Sequence, residues 1–414
     1  MNDSQPALPG IPFLSPFFLK PHLDCFTQEL AGQGYSALTI RGYADSVAHF
    51  GSWLQSNNMS LWQVSERAVS SFGEHYCRCP GGRKSRKLSI NYVKRVGRFV
   101  LYLSQQGAID LRQLDQTEPI VPELISRFVE HLRLRGLSWL TIDQYQRAIA
   151  KLLPMLGDDP RVYDATCVRR AIGDSAKTHS LPETKKHISA LRAFLRFLAV
   201  EDLCVPDLDC AVPKVAQWSL SSLPRYITAQ QVESVIDSCP ADTALGWRDR
   251  AIILLLSRLG LRAGDIVNMQ LTDIDWQAAT VRVSGKGRRE DLLPLPQDVG
   301  DAVAKYIDHA RPTVAKAQLF LCLNAPYRPF AGSPTVSGIV SAALSRAGIS
   351  NPPSRGAHVL RHSAATNMLR SGMTLDSVSS MLRHRSLDMT AYYAKVDIHR
   401  LRQIAQSWPE DVSC

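Results

Sequence analysis

The chain has 414 residues, a formal net charge of +10 and an apolar fraction of 45%. This length predicts two or three domains, and the composition excludes a disordered or collagen-like chain. No apolar run is long enough to cross a bilayer, and the first residues lack the basic start and apolar stretch of a signal peptide. We therefore expect a soluble protein of the cytoplasm that makes no use of a membrane.

The excess positive charge is spread along the chain. Residues 1–117, 118–206 and 207–414, divided at proline-bearing linkers, carry excesses of +4, +2 and +4. Because no single tail holds the charge, all three segments are expected to meet the same polyanion.

Two segments near the N-terminus repeat one another at an offset of 102 residues. In each, apolar residues three and four apart predict helices on both sides of a glycine, Gly34 or Gly136. The glycine should end one helix, and Ser36 or Ser138 should cap the next. The pattern predicts two tandem all-helical domains; chance similarity between amphipathic helices is the alternative.

A basic window lies in the first repeat, where residues 75–109 include eight basic side chains and no acidic one. Its first part reads as a loop that opens a helix, where free N–H groups and the helix dipole favour phosphate. A second basic group occupies the matching place in the second repeat. A solvated charged face is the alternative for either group, but two at equivalent places favour nucleic acid. The residues expected to contact DNA are Arg83, Lys84, Arg86, Lys87, Lys94, Lys177, Lys185 and Lys186.

The nine cysteines are odd in number and irregular in spacing, which argues against a disulfide framework. His75, Cys77 and Cys79 could form part of a metal site. No second ligand pair follows them at the spacing of a zinc site, so the sequence favours two incidental thiols and no bound metal.

A linker over 207–225 precedes a third domain, which should open with a capping box from Thr228 to Gln231. Helices are expected on both sides of two strands, 280–283 and 291–295, joined by a hairpin. The expected fold class is mainly α: two small all-α domains followed by a mixed α/β domain, mostly helical with a small antiparallel sheet.

Four stretches of the third domain carry candidate chemistry. His358 and Arg361 are three apart on a predicted helix and share a face, which suits a phosphate clamp with a proton-transfer group beside it. A nearby tyrosine could attack phosphorus. Taken singly, each residue also has an ordinary structural explanation, as a surface Arg, a structural His or a core Tyr.

As a set, the four stretches resemble the tyrosine recombinase (phage-type integrase) family in residue identity and order. The family pattern is an Arg after a Leu-Gly-Leu turn, a hairpin Lys, a His-x-x-Arg motif, a His or Trp, and a Tyr nine residues further on. The matching residues are Arg262, Lys286, His358, Arg361, His384 and Tyr393.

The resemblance also implies a domain plan. Residues 226–409 resemble the catalytic domain, and 118–206 resemble the DNA-contacting core-binding domain less specifically. Residues 18–117 look like a duplicate of that core-binding domain, which makes both helical domains candidate DNA-binding units. An apolar face on 396–408 suits either helix exchange with a neighbouring protomer or packing on its own domain.

Three departures from the family pattern stand out. Arg383 takes the place of a usual Gly, so a tight turn must form without glycine. Asp265 takes the place of a Glu that is frequent in the family, and its shorter side chain is expected to orient Arg262. Tyr392 lies beside Tyr393, and family spacing favours Tyr393 as the nucleophile.

The separation of His384 from Tyr393 requires a break in the helix. Nine residues on one continuous helix would put the two side chains on opposite sides, since nine steps of 100° leave about 180°. Ser386 is the expected N-cap of the second segment.

For this chain, the resemblance implies that DNA is cut and rejoined through a 3′-phosphotyrosyl intermediate, without metal, cofactor or ATP. Tyr393 would attack the phosphorus, and Arg262 and Arg361 would bind its non-bridging oxygens. His358 would accept the tyrosine proton. The remaining implied roles are protonation of the leaving 5′-oxygen by Lys286 and hydrogen bonding to the phosphate by His384.

The implied partner is double-stranded DNA, with four protomers joining two sites and an accessory protein as a further possibility. Two other functions remain open from the sequence: a non-catalytic DNA-binding scaffold or regulator on the same fold, and a type IB topoisomerase. The intact residue set argues against the first, and the two upstream helical domains argue against the second.

Overall fold

A computed structural model provides the structure of the chain. It describes residues 18–79, 88–109, 123–157, 159–214, 223–284, 290–384 and 388–395. The chain divides into two compact units, one made of 1–61, 69–105 and 219–414 and the other of 62–68 and 106–218. Within the described ranges, no helix has the length and apolar character needed to cross a membrane. The three-domain division by sequence stays a prediction.

Within the described residues, each repeat has four α-helices. In the first repeat they are α1 (Lys20–Gly32), α2 (Ala37–Ser56), α3 (Glu66–Glu74) and α4 (Ile90–Gln105). In the second they are α5 (Glu123–Leu134), α6 (Trp139–Leu156), α7 (Ala165–Thr178) and α8 (Leu181–Val200).

The predicted junction between the first two helices of each repeat is confirmed. Gly34 and Gly136 adopt φ of 82° and 74°, a left-handed conformation that costs glycine little. The hydroxyls of Ser36 and Ser138 then accept hydrogen bonds from backbone N–H groups three residues on, both at 3.3 Å. Identical turn chemistry at both places supports the repeat over chance similarity.

Aromatic side chains fill the core of each repeat. Phe26 of α1 packs edge-on against Phe99 of α4 at 5.3 Å between ring centroids. Phe128 of α5 packs edge-on against Phe194 of α8 at 5.1 Å. Such edge-to-face pairs add to the free energy gained by burying the rings.

The third predicted domain begins as expected, because Thr228 and Gln231 form the predicted capping box. Its central helix has an apolar run, 251–256, that is buried throughout and packs against two later helices. The elements are α9 (Ala229–Asp237), α10 (Ala244–Arg258), α11 (Ala263–Asn268), β1 (Ile274–Asp275), β2 (Thr280–Ser284), β3 (Glu290–Pro294), α12 (Gln297–His309), α13 (Ser333–Arg346), α14 (His358–Arg370), α15 (Leu375–Leu382) and α16 (Asp388–Ala394).

The small sheet has the order β1-β2-β3 and is antiparallel throughout, with Val281 opposite Leu293. The predicted hairpin is therefore confirmed with bounds shifted by about one residue. The two-residue strand β1 was not predicted, because it is too short to show an alternating pattern. Lys286 lies between β2 and β3, in a stretch outside the described residues.

Candidate active site

The site is built where three chain segments converge around Arg361. This side chain projects from α14 and is only 5% exposed. Its guanidinium donates hydrogen bonds to the carbonyl of Gly260, after α10, and to the carbonyl of Leu382, the last residue of α15, at 2.6 Å. These main-chain acceptors fix the guanidinium in one orientation.

Gly260 makes this convergence possible. It adopts a φ of +61°, and a Cβ built on it would lie 2.4 Å from the Leu382 side chain. Any larger residue would combine backbone strain with a clash that forces the buried Leu382 side chain to move. The Leu-Gly-Leu turn therefore brings its carbonyl to Arg361 because it contains glycine.

Arg262 and Asp265 follow this turn. The Arg262 guanidinium donates to the carbonyl of Arg383 at 3.2 Å, which ties it to the end of α15. The Asp265 carboxylate accepts the backbone N–H of Arg262 at 2.7 Å and forms an ion pair with the buried side chain of Arg383. Asp265 thus supports Arg262 through the main chain, whereas its ion pair is with the side chain of Arg383.

The turn after α15 forms without glycine, as the sequence requires. Arg383 takes the left-handed conformation, with φ 54° and ψ 51°. Its N–H and that of His384 bond to carbonyls in the last turn of α15. The strain of a non-glycine residue here is offset by these bonds and by the Asp265 ion pair.

The predicted break between His384 and Tyr393 is confirmed, because α15 ends at Leu382 and α16 begins at Asp388. The break brings the rings of His384 and Tyr393 nearly parallel, 7° apart, with centroids separated by 6.2 Å. His384 is oriented by a 2.8 Å hydrogen bond between its Nδ1 and the Thr390 hydroxyl. The expected cap, Ser386, lies outside the described residues.

Tyr393 contacts a residue that sequence reasoning missed. Its side chain is 3% exposed, and its hydroxyl shares a 2.7 Å hydrogen bond with Nδ1 of His362. His362 lies one turn after His358 on α14, with ring centroids 6.2 Å apart. The signal was available in the sequence, since positions four apart on a helix share a face, but His362 follows Arg361 directly and was left out of the motif.

The two adjacent tyrosines have different environments. The Tyr392 hydroxyl donates to the Leu223 carbonyl at 2.7 Å, whereas the Tyr393 hydroxyl faces His362. This difference agrees with the family spacing that favours Tyr393.

Burial and the arginines together control protonation at the site. Burial raises the pKa of Tyr393 to about 12, and the arginines partly oppose this rise. Burial, with nearby positive groups, lowers the pKa of His362 and of His384 to about 4 and also lowers that of His358. Burial and Arg262 lower the pKa of Arg361 to about 10. At neutral pH the tyrosine is therefore protonated, the histidines are neutral and the arginine is charged.

The predicted DNA contacts are described only in part. Arg83, Lys84, Arg86 and Lys87 lie outside the described residues, whereas Lys94 is exposed on α4. In the second repeat, Lys186 is exposed, Lys185 is half-buried and Lys177 forms a 2.9 Å ion pair with Asp174.

Two other arginines of the basic window have structural roles. Arg95 donates to the Gly42 carbonyl at 3.1 Å, and Arg98 donates to Gln33 at 2.8 Å and to Tyr35. Both therefore brace α4 against the preceding helices, which reduces the charge that the window can offer to DNA.

Comparison with known proteins agrees with this geometry. Residues 225–400 match the model of the phage integrase family. The "Putative integrase/recombinase y4rA" of Sinorhizobium fredii is 36% identical over 391 residues, covering 93% of each chain. Tyrosine recombinase XerA of Pyrococcus furiosus is 29% identical, covering 69% of this chain and 93% of its own.

Solved structures share the fold. The chain is similar to XerH recombinase bound to its difH substrate after cleavage, with a TM-score of 0.56, 19% identity and coverage of 72% of this chain and 88% of that one. It is also similar to a lambda integrase dimer bound to a core site, with a TM-score of 0.53, 18% identity and coverage of 70% and 97%. The mainly helical fold with its three-stranded sheet is thus that of DNA-bound recombinases. The chain belongs to the tyrosine recombinase (phage integrase) family of DNA strand-transferring enzymes.

Proposed function

We propose that this recombinase cuts and rejoins double-stranded DNA at specific sites with Tyr393 as its nucleophile. The observation that carries the assignment is the 2.7 Å hydrogen bond between Tyr393 and His362, beside the buried guanidinium of Arg361. A nucleophile hydrogen-bonded to a base, next to cationic donors for phosphate, is the arrangement that phosphoryl transfer by a tyrosine needs.

In the proposed step, the Tyr393 oxygen attacks a backbone phosphorus and the bond from phosphorus to the 5′-oxygen breaks. The products are a 3′-phosphotyrosyl link and a free 5′-hydroxyl. Attack by that hydroxyl, or by one from a partner strand, reverses the step and restores the DNA backbone. The energy of the broken bond is retained in the covalent link, so no ATP is consumed.

The tyrosine proton goes to His362 in this scheme, because His362 Nδ1 is already at hydrogen-bond distance from the hydroxyl. This assignment replaces the sequence-based choice of His358, which shares a helix face with Arg361 and is assigned to the phosphate instead. In free protein the proton stays on Tyr393, since burial raises the tyrosine pKa and lowers that of His362. A bound phosphate would offset the positive field of the arginines and raise the pKa of both groups, so the proton is expected to move to His362 only as the tyrosine oxygen bonds to phosphorus.

The other roles follow the family pattern. Arg262 and Arg361 bind the non-bridging oxygens of the phosphorane, supported by Asp265. His384 donates a hydrogen bond to the phosphate, and Lys286 protonates the leaving 5′-oxygen.

We further propose that four protomers join two DNA sites, with an accessory protein as an optional partner, in the cytoplasm of a bacterium. The names of the relatives, which are integrases and recombinases, support recombination over a scaffold or a topoisomerase. The exposed Lys94 and Lys186 support DNA contact by both helical repeats.

Covalent trapping tests the nucleophile. Duplexes that the protein selects from a random-sequence library are nicked just 3′ of the cleavage position, so that the short fragment bearing the freed 5′-hydroxyl diffuses away and the adduct accumulates. The parent and Tyr392→Phe should form a denaturant-resistant adduct, and Tyr393→Phe should form none. An adduct of equal yield from Tyr393→Phe would refute the assignment.

The same substrate distinguishes the two histidines. His362→Asn should slow adduct formation by about 10²–10⁴-fold, the usual contribution of a general base. Binding of the duplex, measured in parallel, should be unchanged. His358→Asn should also slow adduct formation, because the variant loses a contact with the phosphate. If His362→Asn only weakened duplex binding and left the rate of adduct formation unchanged, His362 would not be the proton acceptor.

A further inference from the structure

Four side chains with metal-ligand chemistry meet in the first repeat, and none of them belongs to the candidate active site. His49 comes from α2, His75 follows α3 directly, and Cys77 and Cys79 continue the same segment. One ligand atom from each lies within 4.8 Å of all the others. The contacts include 3.2 Å from the Cys77 sulfur to Nε2 of His49 and 3.7 Å from the Cys79 sulfur to Nε2 of His75.

The hydrogen bonds of the two histidines set their tautomers. His75 Nδ1 bonds to the Phe72 carbonyl, which can only accept, so the proton is on Nδ1 and Nε2 carries a lone pair. The Tyr92 hydroxyl donates to the Asp45 carbonyl at 3.2 Å and therefore accepts from His49 Nδ1, also at 3.2 Å. Both Nε2 lone pairs are thus directed toward the thiols, as in metal sites where a second hydrogen bond orients each histidine.

The cluster is enclosed by aromatic rings. His49 is 2% exposed and Cys77 is 1% exposed, whereas His75 and Cys79 are half-buried. Phe72 packs on both histidines, with ring centroids 5.1 Å from His49 and 5.0 Å from His75. A dry shell with one partly open side protects a bound ion from water while leaving an entry path.

We propose that His49, His75, Cys77 and Cys79 form a structural zinc site. Zinc takes two thiolates and two imidazoles in tetrahedral geometry, with bonds of about 2.3 Å to sulfur and 2.0 Å to nitrogen, so neighbouring ligand atoms lie about 3.5 Å apart. The observed distances of 3.2 Å and 3.7 Å lie on either side of that value. Four protein ligands leave no position for a substrate, which makes the site structural.

The fourth proposed ligand comes from upstream of the other three, where the spacing of a zinc motif after Cys79 gives no sign of it. No second ligand pair follows Cys79 at the spacing of a zinc site, but the packing of α2 beside α3 and α4 brings His49 to the other three residues. The site would fasten the start of the basic segment, since Cys79 immediately precedes residues 80–87. It would also hold the helix that follows, because Tyr92 of α4 bonds to His49.

Metal analysis of the full-length protein tests the site. The parent, purified with reduced thiols and without chelator, should contain about one zinc per chain by mass spectrometry. After replacement by Co²⁺, it should show the visible bands of a tetrahedral ion and the near-ultraviolet band of thiolate bound to cobalt. Cys79→Ser and His75→Gln, both at half-buried positions, should lose most of the zinc.

Cys25→Ser is the matched control, since Cys25 is an exposed cysteine of the same repeat and should leave the zinc content unchanged. If the ligand variants fail to fold, the cobalt spectrum of the parent decides the matter alone. A parent with reduced thiols that takes up neither zinc nor cobalt would overturn the proposal, as would a full thiolate–cobalt band in Cys79→Ser.

Discussion

At the offset that aligns the two repeats, His49 of α2 corresponds to Lys151 of α6. Tyr92 of α4 corresponds to His187 of α8 when the last helices of the repeats are aligned, at an offset of 187 − 92 = 95 residues. The first repeat gathers two histidines and two thiols around this place. Among the described residues, the second repeat has no cysteine there. It places His179, Glu183 and His187 close together instead, and an ion pair and a hydrogen bond join Glu183 and His187 to neighbouring side chains.

In the second repeat, Lys151 forms a 3.1 Å ion pair with Glu183, and His187 shares a buried 2.7 Å hydrogen bond with the Ser175 hydroxyl. The Lys151 and Glu183 side chains are substantially exposed, so this ion pair contributes little to stability. The comparison shows one helical scaffold carrying two chemistries at one place, since a site depends on side chains and not on the fold.

Removal of the metal should produce the largest difference in stability between the two repeats. Binding free energies of structural zinc in small domains are about 10 kcal/mol or more, and this energy is folding energy. Chelation should therefore reduce hydrogen-exchange protection in α2 and α4 and leave α6 and α8 unchanged. Equal loss in both repeats would mean that the ion stabilises the whole chain, and no loss would remove its structural role.

Truncation of a matched aromatic pair should affect the two repeats alike. Phe99→Ala and Phe194→Ala each remove a fully buried ring, which costs about 3–5 kcal/mol. Urea unfolding followed by hydrogen exchange should place each loss in its own repeat. Protection in the first repeat that survives Phe99→Ala only when zinc is bound would sharpen the difference between the repeats.

The matched N-caps should give smaller and nearly equal effects. Ser36→Ala and Ser138→Ala each remove one N-cap hydrogen bond of 3.3 Å, and each loss should lower the free energy of unfolding by about 1 kcal/mol. Unfolding midpoints of the two variants should agree within error, with Ser56→Ala, at the other end of α2, as the control for loss of a hydroxyl. Markedly unequal losses would show that the two junctions are alike in geometry only.

The smallest effect is expected for DNA binding. Lys94→Gln should lower the slope of log affinity against log salt by about 1, because one phosphate contact is lost. Lys177→Gln should change it less, since that lysine already pairs with Asp174. Electrophoretic titrations at several salt concentrations measure both slopes, and a larger change for Lys177→Gln would reverse the assignment.

Features of the chain that depend on neighbouring residues could be predicted from the sequence. The turns at Gly34 and Gly136, the capping box at Thr228 and the break before Tyr393 each follow from residues within a few positions. The family motif likewise identified Arg262 and Arg361 for the candidate site, and the structure brings both to the end of α15.

Contacts between distant segments could not be predicted in this way. His49 reaches Cys77 across 28 positions, and His362 meets Tyr393 across 31. Helix periodicity gives the face of each residue, but the packing of one helix on another decides which faces meet. Arg98 illustrates the same limit, because its bond to Gln33 makes a basic side chain of the window part of an internal brace.

The ion pair of Arg383 with Asp265 should restrict which residues occur together at these two positions in related sequences. These are two of the three positions at which the chain departs from the family pattern, and the structure puts these two departures in contact. Arg383→Gly alone would relieve the left-handed turn but strip the buried carboxylate of its cation. We therefore expect the two positions to covary among close relatives, with glycine at 383 accompanied by a longer acid at 265 and arginine by aspartate. Counting the four combinations in an alignment would reveal this evolutionary coupling.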